Sequence, residues 1–200
     1  MNLGIIDYGA GNLRSVAKAV EYCGATAQII ATPREILHMD KIILPGVGAF
    51  GHAMSALAQL DLLDALKTFM QSGKPFLGIC LGMQVLFGDS EESPGVPGIN
   101  IFPGHVRRFP NHLKVPHLGW NQIIPEKSSP LFRGVPEEAF FYFAHSYYAH
   151  PVQSECIIAT TDYQGSYTAA TAREPVFGIQ FHPEKSQSNG LLVLNNFITL

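Results

Sequence analysis

Four short apolar runs separated by helically spaced segments constrain this chain more than any other feature. Residues 3–7, 27–30, 41–44 and 75–79 read as strands. Between the first two, Leu13, Val16, Ala17 and Val20 recur at helical spacing behind Asn12, a good N-cap residue, and Gly24 can end the helix. Asp61 can cap a second amphipathic segment that presents Leu62, Ala65, Leu66, Phe69 and Met70 and stops at Gly73. Strands alternating with helices imply a mainly parallel sheet with helices on both faces, an α/β three-layer arrangement. Ligands in such sheets bind beyond the carboxyl ends of the strands, here the loops after Asp7, Leu44 and Ile79.

The second half has a different texture. Prolines and glycines are frequent from 94 to 136, and short strands are expected near 105–108, 121–124, 140–144, 157–161, 168–172 and 176–181. Their hairpin-like spacing suggests antiparallel strands added to the same sheet. A short closing helix carries Leu191, Leu194 and Ile198. With no repeat, low-complexity tract or linker, a single domain over 1–200 is expected.

Composition removes several function classes. An apolar fraction of 46% with 14% charged residues excludes a disordered chain. A net charge of −3 gives no reason to expect nucleic acid or an anionic membrane as partner. The first residues lack the basic start and apolar core of a signal peptide, and no apolar run is long enough to span a bilayer, so a cytoplasmic protein is expected. Three scattered cysteines, Cys23, Cys80 and Cys156, argue against a disulfide framework or a zinc ribbon.

One of these cysteines stands in a reactive setting. Gly78-Ile79-Cys80-Leu81-Gly82 follows a buried run and opens an apparent helix over 81–87. This is a G-x-C-x-G form of the nucleophile elbow, whose sharp turn needs small flanking residues. A helix N-terminus behind the sulfur favours thiolate, and the Leu81 amide is placed to donate to an oxyanion. Taken alone, Cys80 reads equally well as a buried core cysteine, and Cys23 and Cys156 read as structural.

A thiolate nucleophile needs a base, and the base needs an orienting group. Of eight histidines, only His182 has a carboxylate two residues on, Glu184. In extended chain, residues two apart share a face, so Glu184 can accept from the imidazole while the other ring nitrogen faces Cys80. His145 ends another expected strand and can serve structure or offer an edge to substrate. The remaining histidines show no metal-ligand spacing, and no metal or cofactor is expected.

Gly46-Val47-Gly48-Ala49-Phe50-Gly51 matches G-x-G-x-x-G after a strand, a pattern that can mean dinucleotide binding. Pro45 at the tight turn, and Cys80 where a ribose-binding acid belongs, count against it. Beside a cysteine elbow, amides of this loop, those of Val47 and Gly48, can instead supply the second oxyanion donor.

Leu44-Pro45-Gly46-Val47-Gly48, Gly78-Ile79-Cys80-Leu81-Gly82-Met83-Gln84 and Phe181-His182-Pro183-Glu184-Lys185-Ser186 together resemble the signatures of class I glutamine amidotransferases. Residues 5–13, 114–121 and 143–148 are similar to the glutaminase subunits of imidazole glycerol phosphate synthase within that family. The resemblance implies glutamine hydrolysis through a cysteinyl thioester. It also implies a heterodimer in which ammonia passes to a (β/α)₈ cyclase subunit of the synthase, which itself binds the nucleotide. It further implies that Gln84, Gly46 and the backbone of Ser146 and Tyr147, beside His145, hold the glutamine. Ammonia that escapes and is protonated cannot attack, so a sealed interface is expected. Asn12, the 116–121 segment with His117 and Trp120, and Lys185 are candidates for it, with Trp120 readable as an aromatic anchor or as core. A different synthase partner, a stand-alone cysteine hydrolase and a non-catalytic module are the competing readings.

Overall fold

The computed structural model describes residues 1–200. In chain order the strands are β1 (Leu3–Ile6), β2 (Ala27–Ile30), β3 (Lys41–Gly46), β4 (Phe76–Cys80), β5 (Asp89–Ser90), β6 (Gly104–Arg108) and β7 (His117–Gln122). They continue with β8 (Ile124–Pro125), β9 (Phe140–His145), β10 (Tyr147–Pro151), β11 (Ile157–Asp162), β12 (Ser166–Arg173) and β13 (Val176–Ile179). The helices are α1 (Leu13–Tyr22), α2 (Pro33–His38), α3 (Phe50–Gln59), α4 (Leu62–Gln71), α5 (Leu81–Gln84) and α6 (Gln187–Ile198).

The central sheet runs β2-β1-β3-β4-β13-β12-β11-β8. Its first five members are parallel: β2, β1, β3 and β4 as the alternating pattern requires, and β13 contrary to the antiparallel strand expected at 176–181. Side chains alternate across these strands and divide the core in two. Ile6, Ile42, Leu44 and Phe76 pack with Ile36, Leu57, Leu66 and Phe69 of α2, α3 and α4. Leu3, Ile5, Ile43, Leu77 and Ile79 pack with Val16 and Val20 of α1 and with Val193, Leu194 and Phe197 of α6. Each such side chain contributes roughly 1.5–3 kcal/mol on burial, so the sheet cannot slip register without losing both faces.

Sheet membership departs from the expectation. Strands β8, β11 and β12 do extend the central sheet antiparallel. Strands β5, β6, β7, β9 and β10 form two separate small sheets, β10-β6-β5 and β7-β9. Hairpin-like spacing reports that neighbouring strands pair, but carries no information about which sheet they join. The strand expected at 121–124 begins at His117, and the one expected to reach 181 ends at Ile179. Helix α5 stops at Gln84, and turn bonds to Met83 and Gln84 carry the chain on to Phe87.

Helix ends also differ in detail. Neither Asn12 nor Asp61 makes a side-chain cap bond, and Asp61 takes a left-handed φ of 56°. Helix α2, absent from the apolar pattern, is built by a capping box. The Thr32 hydroxyl accepts from the Glu35 amide while the Glu35 carboxylate accepts from the Thr32 amide, with Pro33 in the first turn.

Candidate active site

Cys80 is the last residue of β4 and directly precedes α5. Its φ of 54° and ψ of −110° lie where L-residues rarely go, so the turn is held by its surroundings. The flanking glycines make it possible. A Cβ on Gly78 would sit 2.4 Å from the Gly82 carbonyl oxygen. Helix α5 thus rests directly on the sheet, its first amides have no intrahelical acceptor, and the sulfur is carried beyond the strand ends.

Strand β13 lies beside β4 with Ile179 opposite Ile79 and leads through Gln180 and Phe181 to His182. Strand β9 then fixes the backbone. The His182 amide donates to the Tyr142 carbonyl at 2.9 Å, the Ser186 hydroxyl donates to the His182 carbonyl at 2.6 Å, and the Tyr142 amide donates to Ser186 Oγ at 2.9 Å. His182 Nδ1 lies 2.9 Å from Glu184 Oε1, the two side chains being 4% and 1% exposed. A carboxylate can only accept, so Nδ1 carries a proton and Nε2 is left for Cys80. The i+2 pairing is therefore realised, but in a 3₁₀ turn, Pro183–Lys185, rather than in extended chain.

Burial by itself disfavours charge on His182. Hydrogen bonding and opposite charge from Cys80 and Glu184 outweigh it and raise the imidazole to about 10. A charged imidazole between a sulfur and a carboxylate is the arrangement of an activated thiolate.

A cavity of about 240 Å³ opens over the sulfur. Val47, Gly48, Leu81 and Gln84 line one part, and His145, Ser146 and Tyr147 another. Val47 and Gly48 are exposed at its edge, and Gly48 has φ 98°. Gly46 must lack a side chain, because a Cβ there would meet the Tyr8 hydroxyl at 2.6 Å and Leu81 Cβ at 2.8 Å.

The family model described as glutamine amidotransferase class-I matches residues 4–200. The chain belongs to that family. Among its relatives is the imidazole glycerol phosphate synthase subunit HisH of Desulfitobacterium hafniense, 49% identical over 98% of this chain and 92% of its own length. The subunit of the same name from Methanothermobacter thermautotrophicus is 49% identical over 99% of this chain and 98% of its own. The solved structure of PurLQS from Thermotoga maritima matches with a TM-score of 0.80 at 19% identity, over 99% of this chain and 97% of that one, and so shares the fold.

In this amidotransferase the G-x-G-x-x-G loop has a structural explanation. Glu92 Oε2 accepts from the Phe50 amide at 2.7 Å, and Ser93 Oγ accepts from the Gly51 amide at 2.9 Å. A Cβ on Gly51 would lie 2.8 Å from that hydroxyl. The protein's own carboxylate thus occupies the start of α3, where a nucleotide phosphate would otherwise bind. Glu92 also lines the cavity. It was not among the residues expected from sequence, because no spacing rule ties it to Cys80.

Two histidines are placed by the packing, His117 contrary to expectation and His145 in the structural role that its sequence allows. His117, a candidate interface residue, is 3% exposed. It stacks on Tyr163 and Phe143, with ring centroids 4.0 and 4.9 Å away, and its Nδ1 lies 3.1 Å from His145 Nε2. The reason is strand alternation: on β7 His117 faces inward while Leu118 and Trp120 face out. His145 is buried and turns its Nδ1 to the Tyr147 carbonyl at 2.8 Å, so it braces the cavity wall. Trp120 is 46% exposed, which removes the core reading. It meets Tyr142 edge-on at 6.0 Å, and exposed Lys185 holds its ammonium 5.7 Å from the same ring. Asn12 is half-buried just before α1, which packs against the Pro183–Lys185 turn. No helix is long and apolar enough to cross a membrane.

Proposed function

We propose that this chain, acting as one domain over 1–200, is the glutaminase subunit of an imidazole glycerol phosphate synthase. It hydrolyses glutamine and passes the ammonia to a cyclase subunit that makes imidazole glycerol phosphate in histidine biosynthesis. The observation that carries the chemistry is the buried Cys80, His182 and Glu184 set, with Cys80 lining a cavity. The observation that carries the partner is near-full-length identity of 49% to chains with that subunit's name. Free thiols at Cys23, Cys80 and Cys156 suit a reducing compartment, and we place the protein in the cytoplasm.

In this reading Cys80 thiolate attacks the side-chain carbonyl carbon of glutamine. The Leu81 amide and one from the Val47–Gly48 segment hold the oxyanion. His182 Nε2–H gives its proton to the amide nitrogen, the C–N bond breaks, and ammonia leaves a thioester. Neutral His182 then takes a proton from water, whose oxygen attacks the thioester. Collapse releases glutamate and restores the thiolate–imidazolium pair. Glu184 keeps the proton on Nδ1 throughout. Gln84 and the backbone of Ser146 and Tyr147 grip the glutamine head group, and the Glu92 carboxylate receives its α-ammonium.

Leu118, Trp120, Tyr142 and Lys185 offer a contiguous aromatic and cationic surface beside the cavity, suited to sealing against the cyclase. Glutamate release by the pure chain, alone and with a histidine-pathway cyclase and its nucleotide ligand, tests the whole reading. Strong stimulation by the cyclase is expected. Equal activity with and without it would point to another partner or a stand-alone hydrolase, and no activity in either case would remove the catalytic reading.

A further inference from the structure

A chain of hydrogen bonds reaches the nucleophile from the cavity wall, and its direction follows from one atom. The Tyr147 carbonyl oxygen can only accept. Gln84 lies 2.9 Å from it through Nε2, so the Gln84 amide nitrogen, not its oxygen, faces that carbonyl. The second Gln84 amide proton points at Gln180 Oε1, 3.0 Å away. That leaves the Gln180 nitrogen facing Cys80, with Nε2 to Sγ at 3.5 Å. Gln180 is wholly buried, and its backbone amide is tied to the Ala169 carbonyl at 2.8 Å. Rotating its carboxamide by half a turn would set two N–H groups against each other and aim an oxygen lone pair at the sulfur.

The same carbonyl is braced from its other side. His145 Nδ1 must donate to it, so His145 Nε2 is a lone pair that accepts from His117 Nδ1. His117 Nε2 in turn accepts from Asn121 Nδ2 at 3.3 Å. Burial lowers His117 to about 4 and His145 to about 3, so both rings stay neutral and the sense of the chain is constant across the neutral pH range.

We propose that Gln180 is a further catalytic residue, whose carboxamide, oriented through Gln84 by the Tyr147 carbonyl, donates a hydrogen bond to the Cys80 sulfur and holds it as thiolate. A hydrogen bond to an ionised group is worth more than one to its neutral form, so this donor raises the share of thiolate beside the imidazolium of His182. Both Gln84 amide protons are committed, and Gln84 therefore offers substrate its carbonyl oxygen as an acceptor. The inference rests on the reading of Cys80 as nucleophile.

The test is the rate of Cys80 alkylation by iodoacetamide as a function of pH, read on the Cys80 peptide in the full chain, with Cys23 as internal control. In Gln180→Leu, alkylation at pH 7 is expected to slow about tenfold, the effect of losing one charge-assisted bond, and to converge with the parent at high pH, where any thiol is ionised. Gln180→Glu, which sets a carboxylate beside the sulfur, is expected to slow it further. A structural effect alone would slow alkylation by the same factor at every pH, and that result, or an unchanged rate at pH 7, overturns the proposal. The unmodified chain gives a second measure independent of variant folding: the Gln180 side-chain amide resonance should shift as Cys80 ionises and stay still in Cys80→Ser. A resonance that does not respond to Cys80 overturns the proposal. A parent Cys80 that resists alkylation at every pH removes the nucleophile reading itself, whereas a reactive parent with indifferent Gln180 variants removes only the role of Gln180.

Discussion

A Cβ placed on Gly82 would lie 1.8 Å from the Leu44 carbonyl oxygen, so the first turn of α5 and the end of β3 are in backbone contact. That contact fixes the height of the cysteine elbow above the sheet. Gly82→Ala cannot be absorbed by a flexible side chain and is expected to destabilise the chain by about 3 kcal/mol or more. At Gly48 a Cβ meets nothing within 4 Å, and only the φ of 98° opposes it. Gly48→Ala is expected to lose roughly 1–2 kcal/mol. Urea unfolding of both variants checks the ordering, and equal losses would mean that α5 can lift from β3.

Backbone strain at Cys80 leads to an inactive yet sturdier variant. The φ of 54° is easily adopted by glycine and disfavoured for cysteine. Cys80→Gly is expected to abolish glutamate release while unfolding at an equal or higher urea midpoint. A midpoint clearly below the parent would mean that packing of the cysteine side chain outweighs the strain.

The contacts of His182 with Cys80 and Glu184 set a pH dependence of stability. His182 is raised to about 10 in the fold, against its ordinary 6.5. A group raised on folding adds stability that is complete below about pH 6.5, declines as pH rises through that window and is gone above about 10. Glu184→Gln removes one of the two groups that favour the charged ring, so the decline should move to lower pH. Urea midpoints from pH 6 to 10 test this, and parallel curves for parent and variant would deny Glu184 that role. The same variant can donate to Nδ1 and favour the wrong tautomer, and its turnover is expected to fall about 10²–10⁴-fold.

Glu92 and Trp120 should separate substrate binding from partner binding. Glu92→Gln is expected to raise the KM for glutamine roughly 10–100-fold, the range for a hydrogen bond to a charged group. Trp120→Ala, at an exposed site, should leave the melting temperature nearly unchanged and weaken cyclase binding by about 2 kcal/mol or more. Titration of the two-subunit complex checks both, and a large melting shift in Trp120→Ala would place the ring in the fold rather than at the interface.

Local chemistry was legible in the sequence where it depends on neighbours along the chain. The parallel core, the elbow at Gly78, Cys80 and Gly82, and the pairing of His182 with Glu184 all follow from period, small residues and i+2 proximity. So does the capping box of Thr32 and Glu35 that builds α2, although the apolar pattern alone passes over it.

Tertiary structure decided what depends on distance through space. The order of strands brings β13 beside β4, joining residues about a hundred positions apart, and so places His182 and Gln180 at the sulfur. It sets Glu92 against the start of α3 and turns a nucleotide-like glycine loop into a self-capped one. It buries His117 while exposing Trp120 on the same strand, because Phe109 and Tyr163, from outside the β7–β9 pair, pack against His117. A sequence carries the period of a strand, but the face that meets the core is set only when another element covers it.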